Sequence, residues 1–306
     1  MADTLKFEGV FPILATPFAE NEEPDLESFD RLVRFIAALG VDGVTILGVL
    51  GEANRLLDRE REELIRTAVT AAGKLPVIVG TSHSGSLAAR ELSQMAESLG
   101  ARAVMVTPQA EATPNDDRVL EYYRTISAGI GIPIVAQDHP ASTQVHMSLS
   151  LLKRLIDEVP EIASIKEEAV PTAPKIRALN GLMASRKIPI LTGLGALYGL
   201  FDLEAGSAGF NTGFAFPEVL IAMVRAARAG NWARAREVYA RFLPLIVFEQ
   251  QPGVAVRKEI LRLRGAISTG RVRHPGAQLP PATAKQLHNL LDAVLAGQDL
   301  SRSISV

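Results

Sequence analysis

The chain has no cysteine. That absence rules out disulfides, thiolate metal sites and thiol nucleophiles, and it is compatible with a reducing cytoplasm, the compartment expected here. Excess charge is missing as well. Thirty-two basic residues face 34 acidic ones for a formal net charge of -2, and no basic stripe carries interleaved aromatics, so no nucleic-acid footprint is expected. No apolar run reaches membrane-spanning length. Residues 1–4 lack the basic stretch and apolar run of a signal peptide, so none is expected. The five histidines, His83, His139, His146, His274 and His288, lack metal-ligand spacing, and no Gly-x-Ser-x-Gly elbow follows a strand. The expectation is therefore no metal, no other cofactor and no serine triad. What remains is a globular composition, 47% apolar and 22% charged over 306 residues. That length suits one barrel-sized domain or two ordinary ones.

The strongest pattern is an alternation of short apolar runs with longer amphipathic ones. Val10 to Ala15 reads as a strand, followed by a helix from Leu26 to Leu39 with Leu26, Phe29, Leu32, Val33 and Ile36 on one face. Further strands are expected at Gly43–Leu47, Val77–Gly80, Ala103–Val106, Ile134–Ala136, Ile162–Ile165, Ile188–Leu191 and Ala208–Asn211, with helices at Leu64–Ala72 and Leu87–Leu99. Most of these strands are too apolar to have a solvated face, as buried parallel strands are. Three open with an apolar residue and proline, Leu75-Pro76, Ile132-Pro133 and Ile188-Pro189, and three follow a helix-ending glycine, Gly40, Gly100 or Gly206. Eight βα units without a topological break favour a closed (β/α)8 TIM barrel over an open doubly wound sheet. After about Phe216 strands cease. Pro217–Arg228 reads as the eighth barrel helix, and Asn231–Phe248, Gly253–Leu263 and Thr283–Leu295 as a C-terminal helical extension. The expected division is residues 1–228 for the barrel and 229–306 for the extension.

Function in such a barrel gathers at the C-terminal strand ends. Lys166 is the lysine that ends a strand; Lys6, Lys74 and Lys187 precede strands, while Lys153, Lys175, Lys258 and Lys285 fall in helical stretches. Desolvation at a barrel mouth disfavours the ammonium and leaves an amine able to attack a carbonyl. The bland reading is a lysine paired with Glu167 or Glu168. Strand alternation puts Glu168 on the side of Lys166 and Glu167 on the other, so Glu168 is the candidate acid–base group, or a salt-bridge partner. Gly48-Val49-Leu50-Gly51-Glu52 follows the second strand, and backbone N–H groups in such a turn can face a bound carboxylate. Thr16, Asp138 and Asn211 stand at other strand ends and complete the expected substrate-binding set.

These residues resemble the dihydrodipicolinate synthase/N-acetylneuraminate lyase family. The resemblance runs through Gly9 to Phe18, Gly48-Val49-Leu50-Gly51-Glu52, Val106-Thr107-Pro108 and Ile165-Lys166-Glu167. It implies a Schiff base between Lys166 and a small 2-oxo acid, and a homo-oligomer, tetramer or dimer. The departures are specific. Val49 and Leu50 replace the two threonines of the family's first turn. Pro108-Gln109-Ala110 lacks the tyrosine of the fourth-strand turn. Gln137 stands in the place of the proton-shuttling tyrosine, and Ser142 where dihydrodipicolinate synthases carry arginine. One branch, the 2-keto-3-deoxyarabonate dehydratase-like proteins, also shows Gln-Asp-x-Pro-Ala-Ser here, and a glutamate two residues past the lysine. The second acidic residue of that branch, near the end of the seventh strand, is replaced by the run Ile190-Leu191-Thr192-Gly193. The resemblance thus implies a class I lyase or dehydratase of a 2-keto-3-deoxy sugar acid, with Lys166, Glu168 and Gln137 at its centre. The alternatives are dihydrodipicolinate synthase itself and a 2-oxo-acid-binding barrel without turnover.

Overall fold

A computed structural model describes residues 5–110, 115–183, 186–251 and 253–306. Residues 1–4, on which the signal-peptide reading rests, lie outside the described residues. Strands and helices alternate from the start: β1 (Gly9–Val10), α1 (Leu26–Ala38), β2 (Val44–Ile46), α2 (Asp58–Ala72), β3 (Val77–Gly80), α3 (Ser86–Ser98), β4 (Ala103–Val106), α4 (Asp116–Ser127) and β5 (Ile134–Asp138). A short helix α5 (Pro140–Thr143) precedes α6 (Leu149–Glu158). Then come β6 (Ile162–Glu167), α7 (Thr172–Leu182), β7 (Ile190–Thr192), α8 (Gly199–Glu204), β8 (Gly209–Phe210) and α9 (Pro217–Arg228). The extension consists of α10 (Trp232–Phe248), α11 (Val254–Leu263) and α12 (Pro281–Leu295).

All strand pairs are parallel, in the order β1-β8-β7-β6-β5-β4-β3-β2. The ring closes between its ends through a parallel bridge of Ile13 with Thr45, where Thr45 N–H donates to Pro12 O and Leu14 N–H to Thr45 O, both at 2.8 Å. The three strand-opening prolines sit just before β3, β5 and β7, and each lends its carbonyl to a neighbour: Pro76 to Val44, Pro133 to Val104 and Pro189 to Ile165. Gly40, Gly100 and Gly206 all have positive φ, between 82° and 96°, the conformation that ends a helix at low cost only with glycine.

Alternation sorts the strand residues between two cores. Ile78, Met105, Val135 and Leu191 fill the barrel with Phe7, Phe11 and Ile13, while Val77, Val79, Val104, Val106, Ile134 and Ala136 face the helices. Helix α1 shows what binds the outer layer. Asp25 caps it by accepting from Ser28 N–H, and Phe29, Leu32, Val33 and Ile36 are buried on one stripe, each worth about 1.5–3 kcal/mol in apolar burial.

The extension is fastened to the barrel by two buried ion pairs and a part-buried one. Lys258 on α11 pairs with Glu52 after β2. Arg264 donates to Glu218 of α9 at 2.5 Å and to Ala215 O at 2.6 Å. Arg273 reaches Glu60 of α2 at 2.7 Å. Cutting one side of a buried pair costs about 3–5 kcal/mol, because the other charge stays buried alone.

Candidate active site

Two strands build the centre of the site. In the β5–β6 ladder Gln137 is the register partner of Lys166, and Asp138 of Glu167. Gln137 follows the inward parity of Val135, so it and Lys166 point into the barrel mouth while Asp138 and Glu167 point outward. Both strands run further than the apolar runs suggested, by Gln137-Asp138 on β5 and by Lys166-Glu167 on β6. Polar residues at a barrel mouth stay in the ladder because the protein buries them on both sides.

Lys166 is 2% exposed. Its Nζ lies 3.1 Å from Glu168 Oε2. Gln137 Nε2 donates to the same oxygen at 2.6 Å, and Leu194 N–H donates to Glu168 Oε1 at 2.9 Å. His139 Nδ1 stands 4.0 Å from Oε2 and 2.7 Å from Ser142 Oγ. Gly193 explains how Glu168 fits. A Cβ there would fall 2.0 Å from Oε1 and 2.4 Å from Cγ, so a side chain at the end of β7 would evict the carboxylate.

Burial holds the Lys166 ammonium below the ordinary lysine range, and Glu168 only partly offsets it. Burial also pushes Glu168 up, but Lys166, His139 and the Leu194 and Gln137 donors outweigh it and keep the carboxyl below its usual value. Burial likewise lowers His139. The result is an ionised carboxylate beside an amine that loses its proton more easily than a solvated lysine does.

Behind this centre, on the helix side, Lys175 of α7 pairs with Asp138 and lies 3.7 Å from Glu167 Oε2. It also donates to Met147 O at 2.8 Å. Burial, and then Asp138, push Glu167 up to about 8. Glu167 accepts from Ala169 N–H at 2.7 Å. Asp138 is thus engaged outside the barrel, away from Lys166.

The turn after β2 divides its residues. Val49 and Leu50 line the cavity over Lys166. They open a 3-10 turn, whose first N–H groups have no internal acceptor. Thr16 Oγ1 donates to Gly51 O at 2.7 Å and braces the turn from below. Gly48 closes it by accepting from Gly51 N–H at 3.0 Å. Glu52, 1% exposed, faces the extension, bound to Lys258, to Arg55 at 2.6 Å and to Arg273 N–H at 3.0 Å. Asn211 is fully buried, and neither amide atom has a hydrogen-bond partner among the described residues.

The cavity has a volume of 130 Å³, and Glu168 is its one carboxylate among the described residues. Its wall includes residues that the strand-end reading passed over. His139 is the variable position of the Gln-Asp-x-Pro-Ala-Ser run, and its place two residues past Gln137 was the available signal. Gln250 and Arg257 come from the extension, and no sequence pattern links them to the barrel mouth. A larger groove of 570 Å³ runs past Tyr122, Val119 and His146, but neither Lys166 nor Glu168 touches it.

Known proteins match this arrangement over nearly the whole chain. The model of the dihydrodipicolinate synthetase family matches residues 6–294. L-2-keto-3-deoxyarabonate dehydratase of Azospirillum brasilense is 36% identical over 94% of this chain and 94% of its own length. The 4-hydroxy-tetrahydrodipicolinate synthase of Methanocaldococcus jannaschii is 28% identical over 93% and 98%. Among solved structures, dihydrodipicolinate synthase from Rhodopseudomonas palustris superposes with a TM-score of 0.90 at 34% identity, covering 94% of this chain and 98% of that one. YagE of E. coli K12, a prophage protein of the same family in complex with pyruvate, superposes with a TM-score of 0.85 at 25% identity over 94% and 98%. Fold, strand-end lysine and matches of this extent agree: the chain belongs to the dihydrodipicolinate synthetase family.

Proposed function

We propose that the protein is a class I lyase that binds a 2-oxo acid as a Schiff base on Lys166 and eliminates water from a 2-keto-3-deoxy sugar acid. One observation carries this reading: a buried amine 3.1 Å from the single carboxylate that lines its cavity among the described residues. Glu168 takes the proton that leaves the Lys166 ammonium 3.1 Å away, the neutral amine attacks C2, and the carbinolamine loses water with that same proton. The iminium acidifies C3, Glu168 takes the C3 proton, and the enamine expels the C4 hydroxyl as water with that proton. Gln137 has no proton to trade at neutral pH; its role is to aim Glu168. The Val49 and Leu50 amides hold the substrate carboxylate. The 36% identity with the arabonate-derived dehydratase supports this substrate class.

Incubation with pyruvate and borohydride should add a pyruvate-derived mass to the peptide bearing Lys166, and Lys166→Ala should gain none. 2-Keto-3-deoxyarabonate should lose water with the wild type. Labelling elsewhere, or no labelling by any 2-oxo acid, sinks the Schiff base. Condensation of pyruvate with aspartate semialdehyde should be weak, since Gln137 and Ser142 replace the tyrosine and arginine of that chemistry. Turnover of about 1–1000 per second there would move the assignment to the synthase. Like many relatives, the chain is proposed to act as a homo-oligomer, dimer or tetramer.

A further inference from the structure

The cavity contains a second cation whose hydrogen-bonding capacity is largely unspent. Arg257 sits on α11, 4% exposed, and its Nε donates to Glu249 Oε2 at 2.7 Å. Glu249 is itself buried and accepts from Ala215 N–H at 3.1 Å. This pairing fixes the plane of the guanidinium. Nη1 and Nη2 make no hydrogen bond to any described residue, yet the side chain forms part of the cavity wall with Lys166 and Glu168. The two terminal nitrogens thus open onto the cavity, where a ligand can reach them.

Their position says what they are for. A Cβ built on Gly213 would meet Arg257 Nη1 at 3.4 Å and Leu50 Cδ1 at 2.0 Å, so Nη1 lies by the end of β8, next to Leu50. Glu168 follows β6 and His139 follows β5, two and three strands round the barrel from β8. The guanidinium therefore stands by the Val49-Leu50 turn, at the β8 side of the cavity. A planar fork of donors is suited to a carboxylate. The turn itself has only backbone to offer, because Val49 and Leu50 have no side-chain donors.

We propose that Arg257 is a specificity-determining residue that binds the carboxylate of the 2-oxo acid through Nη1 and Nη2, with Glu249 as its positioning residue. This rests on the reading of Lys166 as the imine-forming lysine, and the test separates the two. Borohydride-trapped adduct formation is followed with pyruvate and with methyl pyruvate, which keeps the carbonyl and lacks the charge. In the wild type pyruvate should be strongly preferred. In Arg257→Gln the apparent affinity for pyruvate should fall about 10- to 100-fold, the loss of a charge-assisted hydrogen bond or two, while methyl pyruvate changes little. Arg257→Lys should recover part of the preference. Should the lone Glu249 destabilise the single variant, the double variant Glu249→Gln/Arg257→Gln removes both charges and should show the same loss. Titration with lactate and with lactamide reads the same contact without an imine: the wild type should favour lactate, and the variants should not. An Arg257→Gln protein that retains both preferences, or that loses pyruvate and methyl pyruvate equally, overturns the proposal. Failure of the wild type to form any adduct overturns the Lys166 reading, and the lactate preference then decides Arg257 alone.

Discussion

Replacing Glu168 with glutamine separates its chemistry from its contacts. The side chains are nearly isosteric, and the amide carbonyl can still accept from Leu194 N–H, now at 2.9 Å. The amide nitrogen then turns toward Gln137 Nε2 and Lys166 Nζ, which today lie 2.6 and 3.1 Å from Oε2. Beside an ammonium it would be a donor facing a donor; beside a neutral amine it donates to the lone pair. The variant therefore favours the neutral lysine. The sign follows from the wild type, where burial lowers Lys166 and Glu168 pulls it back up. Without the carboxylate the amine deprotonates at lower pH, so the rising limb of adduct formation should move to lower pH. Turnover should behave differently. With no group to take the C3 proton and return it to the leaving hydroxyl, it should fall by about 10²–10⁴-fold, some 3–5 kcal/mol in the barrier. Adduct mass across pH and steady-state rate on the same preparation are the assays. Turnover kept within a few-fold of wild type would refute the acid–base assignment. An adduct limb displaced to higher pH would refute the electrostatic one.

Gly193→Ala should keep the adduct and lose about 10–100-fold in turnover, because its Cβ would displace Glu168 and a shift of about 1 Å is enough for that loss; paired mass and rate measurements check it. Glu52→Gln should lower stability by about 3–5 kcal/mol, read from urea melts, by leaving the buried Lys258 ammonium without its counter-charge. Glu167 is raised to about 8 in the fold, so its contribution is full below the unfolded value near 4.5 and fades as pH rises to 8. Glu167→Gln should flatten that decline, with about 5 kcal/mol as its upper limit, in melts taken across this pH range.

The barrel was legible because its period is written in apolar residues. Helix faces such as Phe29, Leu32, Val33 and Ile36, and the prolines before β3, β5 and β7, needed only local rules. The strand ends were harder for the reason that makes them functional. A reading that follows apolar runs stops at Ala136 and Ile165, one residue short of Gln137 and Lys166, whose burial depends on the other strands. The strand alternation rule still placed Lys166 with Glu168 and set Glu167 apart. β1 shows the reverse: Val10 to Ala15 are buried, yet the regular ladder covers Gly9–Val10 and continues as scattered bonds from Phe11, Ile13 and Leu14. Glu52 was read as a substrate residue from its place beside two glycines; its partner Lys258 lies 206 residues away, beyond any local rule.

That distant partner also explains why the extension matters to the cavity. Lys258 and Arg257 are consecutive on α11, and successive helix residues diverge by about 100°, so one helix can address two targets on the same barrel mouth. Lys258 pins the helix to Glu52, the last residue of the β2 turn, and Arg257 faces the cavity beside Leu50 of that turn. Glu249, at the end of α10, fixes the guanidinium from the other side. A barrel closed at β8 would have Lys166 and Glu168 in place and a turn whose side chains are Val49 and Leu50. The charge that this turn lacks arrives from α11, and the ion pair to Glu52 keeps it at the correct end of the site.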